Sequence, residues 1–403
     1  MGFSLDSDFK KEFAMNLLEP PDHLLPARID ARSTATALAR PLLLCLSHLR
    51  WGFVYQRPQH VMSRLAKDYD VVFFEEPIFA DAQQPELELS RPVSGITLMV
   101  PRLPWGMDSQ QIADAQRQLL DAWLAGQTSR ELLLWYLTPM SLAFTEHLKA
   151  QVTIFDCMDE LSAFKGAPPD LIVKERQLMA KADVVFTGGH SLWETKRRQH
   201  QNAHAVPSSV DIKHFAAARD RLPEPADQAD IGRPRLGFFG VIDERFDIDL
   251  VSELATLRPD WQIVLIGPVV KIDPDTLPRQ PNIHYLGAKR YDELPVYLSG
   301  WGVALMPFAI NESTRFISPT KTPEYLAGGC PVVSTAIRDV VNGYGDSGVV
   351  SIADSAQAFI VAINAALLSR ADISFTERAD AVLDGMSWDK TCAVMKEHIE
   401  CLR

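Results

Sequence analysis

Short apolar runs alternate with amphipathic stretches along most of this chain, a pattern that predicts an α/β protein built in layers. In the first half the runs Leu42–Leu46, Val71–Phe74, Ile96–Val100, Leu132–Tyr136, Val152–Phe155, Val184–Thr187 and Ala203–Val206 read as strands. In the second half Arg235–Phe239, Ile263–Ile266, Ile283–Leu286, Val303–Met306, Pro331–Thr335 and Val349–Ile352 do the same. Segments with helical spacing lie between them, among them Gln59–Asp68, Leu171–Ala182, Leu250–Leu257 and Ala356–Leu368. Continuous apolar strands separated by helices predict parallel sheets covered on both faces. The two sets fall on either side of a Pro/Asp-rich stretch, so the expectation is two doubly wound, Rossmann-like domains: residues 41–207 and 235–386, with 208–234 as linker. Residues 1–40, with Pro20-Pro21 and Pro26 and no sustained period, read as an N-terminal extension. Open sheets of this kind bind ligands at the carboxyl ends of their strands, so two facing domains put their loops across a cleft.

Length and charge narrow the function classes. A chain of 403 residues exceeds one ordinary core. Its formal net charge of -12 argues against a nucleic-acid partner. The five cysteines are scattered, without a Cys-x-x-Cys pair or Cys/His cluster, so neither a zinc site nor a disulfide framework is supported. The acidic N-terminus lacks the order of a signal peptide, and no apolar run approaches the roughly 20 residues of a membrane-spanning helix. These features predict a cytoplasmic protein and leave peripheral membrane contact open.

The most specific chemistry lies in Ser318-Pro319-Thr320-Lys321-Thr322-Pro323-Glu324-Tyr325-Leu326-Ala327-Gly328-Gly329-Cys330-Pro331-Val332-Val333-Ser334. It reads as a loop, a short helix, a glycine stop and a buried strand. Lys321 and Glu324 are almost one turn apart, so both leave the same helix face. A cation at the helix start suits a diphosphate, and a carboxylate one turn deeper suits two ribose hydroxyls. The segment resembles the donor-site signature of GT-B glycosyltransferases of family 4 (group 1), the type found in bacterial polysaccharide assembly. The resemblance implies a nucleotide-diphosphate sugar as donor, a UDP-sugar being the expectation, and a glycan or lipid-linked glycan as acceptor. It also implies retention of configuration, no cofactor and no metal. Ser318 and Thr320 would join Lys321 and Glu324 at the nucleotide, Gly287 would sit beside the base, and the C-terminal helix 387–403 would return to the first domain. One position departs from the pattern: Phe316 stands where the family often has a sugar-contacting Glu. Glu312, in a longer loop, is the expected substitute.

Other loops supply candidates for the rest of the cleft. Gly237-Phe238-Phe239-Gly240-Val241-Ile242-Asp243-Glu244-Arg245 is similar to the phosphate loop of that family, with Gly240 for close approach and Arg245 as the clamp. In the first half, Ser47 to His60 resembles a loop held over the sugar. It offers His48, Gly52, Arg57 and His60 on the sugar and acceptor side. Asp156 and Asp159 follow a strand end, where carboxylates orient hydroxyls, act as a base or cap a helix. In Thr187-Gly188-Gly189-His190-Ser191, Ser191 is the expected helix cap. The triplets Asp247-Ile248-Asp249 and Asp273-Pro274-Asp275 read as caps and turns rather than metal ligands.

Catalysis is thus expected at Lys321 and Arg245, which would neutralise the departing diphosphate, with Asp156 opposite them. An inverting transferase or an epimerase would use the same scaffold with a base among His48, His60, Asp156 and Asp159. A non-catalytic sugar-nucleotide-binding scaffold is the alternative of another class. A dinucleotide dehydrogenase is disfavoured because neither domain opens with Gly-x-Gly-x-x-Gly.

Overall fold

The computed structural model describes residues 40–403, apart from 94, 128, 129, 221 and 371. The expected N-terminal extension, residues 1–39 of it, lies outside the described residues.

Two sheets form, each continuous with its own core. The first contains β1 (Leu42–Leu46), β2 (Asp70–Phe74), β3 (Ile78–Ala80), β4 (Glu86–Ser90), β5 (Ile96–Pro104), β6 (Leu132–Tyr136), β7 (Val152–Cys157), β8 (Val184–Thr187) and β9 (Ala203–Ala205). Its order is β3-β5-β2-β1-β6-β7-β8-β9, parallel throughout except for β4, which runs antiparallel on β5. Strands β3 and β4 were not anticipated. The Glu86-Leu87-Glu88-Leu89 alternation of β4 has the period of a strand exposed on one face, a signal that a search for continuous apolar runs passes over. The second sheet contains β10 (Arg235–Phe239), β11 (Gln262–Ile266), β12 (Ile283–Tyr285), β13 (Val303–Met306), β14 (Val332–Ser334) and β15 (Val350–Ile352). It is wholly parallel, in the order β12-β11-β10-β13-β14-β15. Strand order therefore reverses between β1 and β6 and again between β10 and β13. A doubly wound sheet opens its ligand crevice at such points.

The strands of the second sheet are positioned by close packing. Gly237 lies inside β10, and a Cβ there would stand 1.9 Å from the indole of Trp301. Only a residue without a side chain lets that ring lie on the strand. The indole N–H donates to Gln228 Oε1 at 2.9 Å. Gln228 belongs to the stretch expected to be a linker, and the structure corrects that reading. Val210, Phe215, Ala218 and Gln228 are buried, the first three within the second core. Short helices at Ile212–Ala216 and Ala226–Ala229 carry Phe215 and Gln228, and Ala218 lies in the 3-10 turn Ala217–Arg219. The prolines and aspartates around these helices obscured their short apolar faces.

The C-terminal helix, Trp388–Glu400, starts at Ser387, whose hydroxyl accepts from the Lys390 N–H at 3.1 Å. Trp388, Cys392, Met395 and Ile399 follow one helix face and are buried in the first core beside Val61, Leu65 and Phe186. Arg64 and Asp389 pair at 2.8 Å, and Tyr69 donates to Glu400 at 2.6 Å along the same contact. The end of the chain thus packs as part of the first domain. Trp388→Ala should cost about 3–5 kcal/mol of stability, the range for losing a large buried aromatic. Chemical denaturation of the two proteins measures it.

Candidate active site

Lys321 is the first residue of the helix Lys321–Ala327, and Glu324 lies in its first turn, only 8% exposed. The lysine stem runs across Gly240, the residue that follows β10: a Cβ at Gly240 would be 2.1 Å from Lys321 Cε. Gly240 has φ 148, a conformation that other residues rarely adopt. Helix start and glycine turn are thus in contact at the switch point of the second sheet. Among the described residues, neither the Lys321 ammonium nor the Glu324 carboxylate has a hydrogen-bond or ion-pair partner. Burial raises Glu324 to about 8, with Lys321 opposing the shift. Burial also lowers Lys321, which Glu324 counteracts and Arg245 reinforces. The site therefore holds two ionisable groups poorly solvated and without hydrogen-bond partners, an arrangement whose free-energy cost a ligand with matching groups would lower.

Arg245 closes the same turn. Its Nε and Nη2 donate to the Asp243 carboxylate at 2.7–3.1 Å, so half of its fork is used within the loop, while Nη1 has no partner among the described residues. The guanidinium also lies 5.2 Å from the ring centre of Phe164, a first-domain residue. Lys271 approaches that ring to 5.2 Å as well. It sits beyond β11, at φ 62, and is the non-glycine residue with positive φ among those described. Loops 240–245 and 267–271 are tied by the Ile242 N–H to Pro268 O bond at 3.0 Å and its return from Val270 to Ile242 O, also 3.0 Å. Gly287 has φ 68 and accepts from the Gly267 N–H at 2.9 Å, with open space where a side chain would stand. Ser318 lies across the domain junction beside Gly189: a Cβ on that glycine would be 2.6 Å from Ser318 Cβ. Thr320 holds the cap position of the Lys321 helix without a side-chain capping bond.

On the first-domain side, Asp159 and His48 face these cations. Burial raises the Asp159 carboxyl, and Arg245 and Lys321 are among the charges that pull it back. His48 is lowered to about 4 by burial and then by Lys271, which leaves it neutral near pH 7. Gly52 is exposed with nothing near its Cβ position, so no close approach explains it. Arg57 and Asp156 do not reach the cleft. Arg57 Nε and Nη2 grip the Asp156 carboxylate at 2.8–3.1 Å, and Nη1 donates to Val206 O at 2.7 Å. Their side chains are 4% and 1% exposed. His60 is likewise removed from sugar chemistry. It stacks on Trp388 at 4.4 Å and meets Tyr291 edge-on at 5.3 Å. Glu312, the expected substitute acid, has a side chain 78% exposed that reaches Arg315 at 3.6 Å. Phe316, at the departing position, packs against the first-domain core. The cap at residues 187–191 is Gly189, not Ser191. Ser191 instead donates its backbone N–H to Asp339 of the second domain at 3.0 Å.

Residues 233–369 match the family described as Glycosyl transferases group 1. The matched stretch lies in the second domain and includes Gly240, Arg245, Lys321 and Glu324. The putative teichuronic acid biosynthesis glycosyltransferase TuaH of Bacillus subtilis (strain 168) is 24% identical over 227 residues, 52% of this chain. The match spans 57% of that relative's length. Sucrose-phosphate synthase from Thermosynechococcus elongatus superposes with a TM-score of 0.65 at 16% identity, covering 90% of this chain and 99% of that one. Anabaena Alr3699/HepE in complex with UDP gives 0.60 at 11% identity, covering 90% and 100%. The architecture is the GT-B fold.

Several residues of the second domain and the loops facing it were not singled out from the sequence. Lys271 had one signal, a cation soon after a strand that ends in Gly267-Pro268. Phe164, Tyr291 and Asp339 had none, because each matters through the opposite domain. Tyr55 stacks on Tyr291 at 4.7 Å, and Arg338 pairs with Glu194 at 2.6 Å. Both Asp-x-Asp triplets act locally: Asp247 accepts from the Leu250 N–H and Asp273 from the Asp275 N–H, each at 2.9 Å. Among the described residues no group of three His, Cys, Asp or Glu is placed to hold a metal, and no single helix is long and apolar enough to cross a membrane.

Two outcomes follow from these charges. Asp156→Ala should destabilise the protein by about 3–5 kcal/mol, because it leaves the Arg57 charge buried and unpaired. Equilibrium unfolding reads this directly. Glu324, raised from 4.5 to about 8, favours folding while it is protonated, so ligand-free stability should fall as pH rises across that window. Denaturation midpoints at stepped pH should show the decline, and Glu324→Gln should flatten it.

Proposed function

We propose that this chain transfers a sugar from a UDP-sugar to a glycan or lipid-linked glycan acceptor in polysaccharide biosynthesis. The observation that carries the reading is the unpaired Lys321–Glu324 couple, set against Gly240 at the switch point of a group 1 domain. A diphosphate would answer Lys321 and the free Nη1 edge of Arg245, and ribose hydroxyls would answer Glu324. UDP is favoured among nucleotides because HepE was solved with UDP and an E. coli neighbour with UDP-2-fluoro glucose. The polysaccharide setting follows the resemblance to TuaH, a putative teichuronic acid biosynthesis glycosyltransferase. The protein would work in the cytoplasm, with peripheral membrane contact where the acceptor is lipid-linked.

In this mechanism Lys321 and Arg245 stabilise charge that grows on the leaving diphosphate as the glycosidic bond breaks. The acceptor hydroxyl enters on the same face, and a diphosphate oxygen receives its proton, so configuration is retained without a dedicated base. Protein cations supply the countercharge, and no metal is required. An inverting variant has fewer options than the sequence offered. His60 and Asp156 are engaged elsewhere, which leaves Asp159 and His48 for that role, and the anomer of the product distinguishes the two courses.

The test begins with thermal shift and calorimetry over UDP, GDP, ADP and dTDP and their sugars, with and without EDTA. UDP affinity undiminished by EDTA is the expected result. Lys321→Ala should then lower kcat by roughly 10²–10³ while raising donor KM less, as for loss of one donor to a developing oxyanion. Near-normal transfer by a folded Lys321→Ala protein would remove the assignment.

A further inference from the structure

An aromatic pair stands at the edge of the first sheet, and no step above uses it. Trp105, just past β5, is 58% exposed. Its indole stacks on Phe79 of β3, with ring centres 5.5 Å apart and planes 29° from parallel. Ile78, beside Phe79 in β3, is exposed as well. A single exposed apolar side chain is ordinary. An indole held at a fixed tilt on a second ring, with a third apolar residue adjoining, marks a contact surface. Both flanks of the pair are fixed. Strand β3 pairs with β5 at Phe79 and Leu103, and Gly106 turns the chain at φ 85. The helix Ser109–Ala125 then begins with a closed cap, in which Asp108 accepts from the Gln111 N–H and Gln111 Oε1 from the Asp108 N–H, each at 2.9 Å.

Position and charge narrow what the pair can receive. Strands β2 and β5 run parallel, so the chain that follows each emerges at the carboxyl edge of the sheet, the side on which the cleft opens. Glu76, between β2 and β3, and His48, after β1, both lie within reach of the Lys271 charge of the second domain. In the order β3-β5-β2-β1, Phe79 and Trp105 stand two to three strands from β1 and its switch point, roughly 10–15 Å at ordinary strand spacing. One sugar at the donor does not span that distance, and a chain of several does. A membrane surface is the other partner that takes exposed Trp and Ile, and the charges here oppose it. The neighbouring segments carry Asp81, Glu86, Glu88 and Asp108. Arg102, the cation among them, bonds to Glu88 at 2.7 Å. Arg91 follows the opposite end of β4, since Glu86 pairs with Arg102 and Ser90 with Leu98. An anionic leaflet attracts unpaired cations and would be repelled by this edge.

We propose that Trp105 and Phe79 form a stacking platform for a pyranose ring of the acceptor, several sugars away from the hydroxyl that reacts. The assignment rests on the transferase reading above and adds to it that the acceptor is an oligosaccharide rather than a single sugar. A pyranose carries C–H groups on its faces and hydroxyls around its rim. Laid on the open side of the indole, the C–H groups meet the negative ring face while the hydroxyls keep their water. The indole N–H, which makes no hydrogen bond among the described residues, is a donor for one of those hydroxyls.

The experiment compares wild type, Trp105→Ala and Trp105→Phe on an array of neutral glycans graded from monosaccharide to hexasaccharide, on phosphatidylglycerol vesicles, and with UDP by calorimetry. Wild type should bind the longer glycans of at least one series in preference to the monosaccharides. Trp105→Ala should weaken that binding about tenfold, the scale of one lost aromatic stack. Trp105→Phe should keep most of it. UDP affinity should stay within about twofold in both variants, and their melting should match wild type because the indole is exposed. Binding to no glycan, or glycan binding that Trp105→Ala leaves unchanged, overturns the proposal. Vesicle binding that Trp105→Ala abolishes, without glycan binding, also overturns it and makes the pair a membrane anchor. Absence of UDP binding by wild type overturns the donor reading, while the array, read without donor, judges the platform by itself.

Discussion

Charge held out of water between two apolar sheets is the constraint around which this molecule is arranged. Carboxyl ends of parallel strands present loops, and here loops from two sheets meet, so ionic groups lose solvent on both sides. The chain resolves that cost in two ways. Arg57 with Asp156, and Lys196 with Glu160 and Glu175, are closed pairs whose charges cancel inside the first domain. Lys321, Glu324 and Asp159 are left open, their protonation displaced by burial from ordinary values. A closed pair stabilises a geometry. An open group stores an interaction that a ligand can complete, which is why the two kinds are found a short way apart and do different things.

The domain junction shows the same division of labour. Tyr55 on Tyr291, Phe316 on the first core, Arg338 with Glu194 and Asp339 with the Ser191 N–H hold the sheets together around the open groups. Gly189 permits part of this, since a Cβ there would stand 2.2 Å from Asp339 Oδ2. Phe316 is instructive. A second-domain side chain makes an apolar contact with the first-domain core there.

Much of this was legible in the order of residues. The strands of both sheets, apart from β3 and β4, are visible as apolar runs because a strand buried on both faces has no alternation to hide it. The shared face of Lys321 and Glu324 was legible for another reason. The two lie three residues apart, where helical spacing alone fixes which side chains share a face. The C-terminal helix was readable through Ser387 and its spaced apolar residues for the same cause.

Tertiary structure decided everything that depends on partners distant in sequence. Arg57 and Asp156 look alike to cleft residues when read one at a time, and only folding brings them within 2.8 Å and removes both from solvent. His60 became a packing residue because Trp388, at the far end of the chain, lies on its ring. Glu312 was exposed by the path of its loop. Local sequence determined the elements and the one motif whose chemistry is local. Desolvation and pairing, set by contacts across hundreds of residues, determined which of the candidate charges stayed free to meet a ligand.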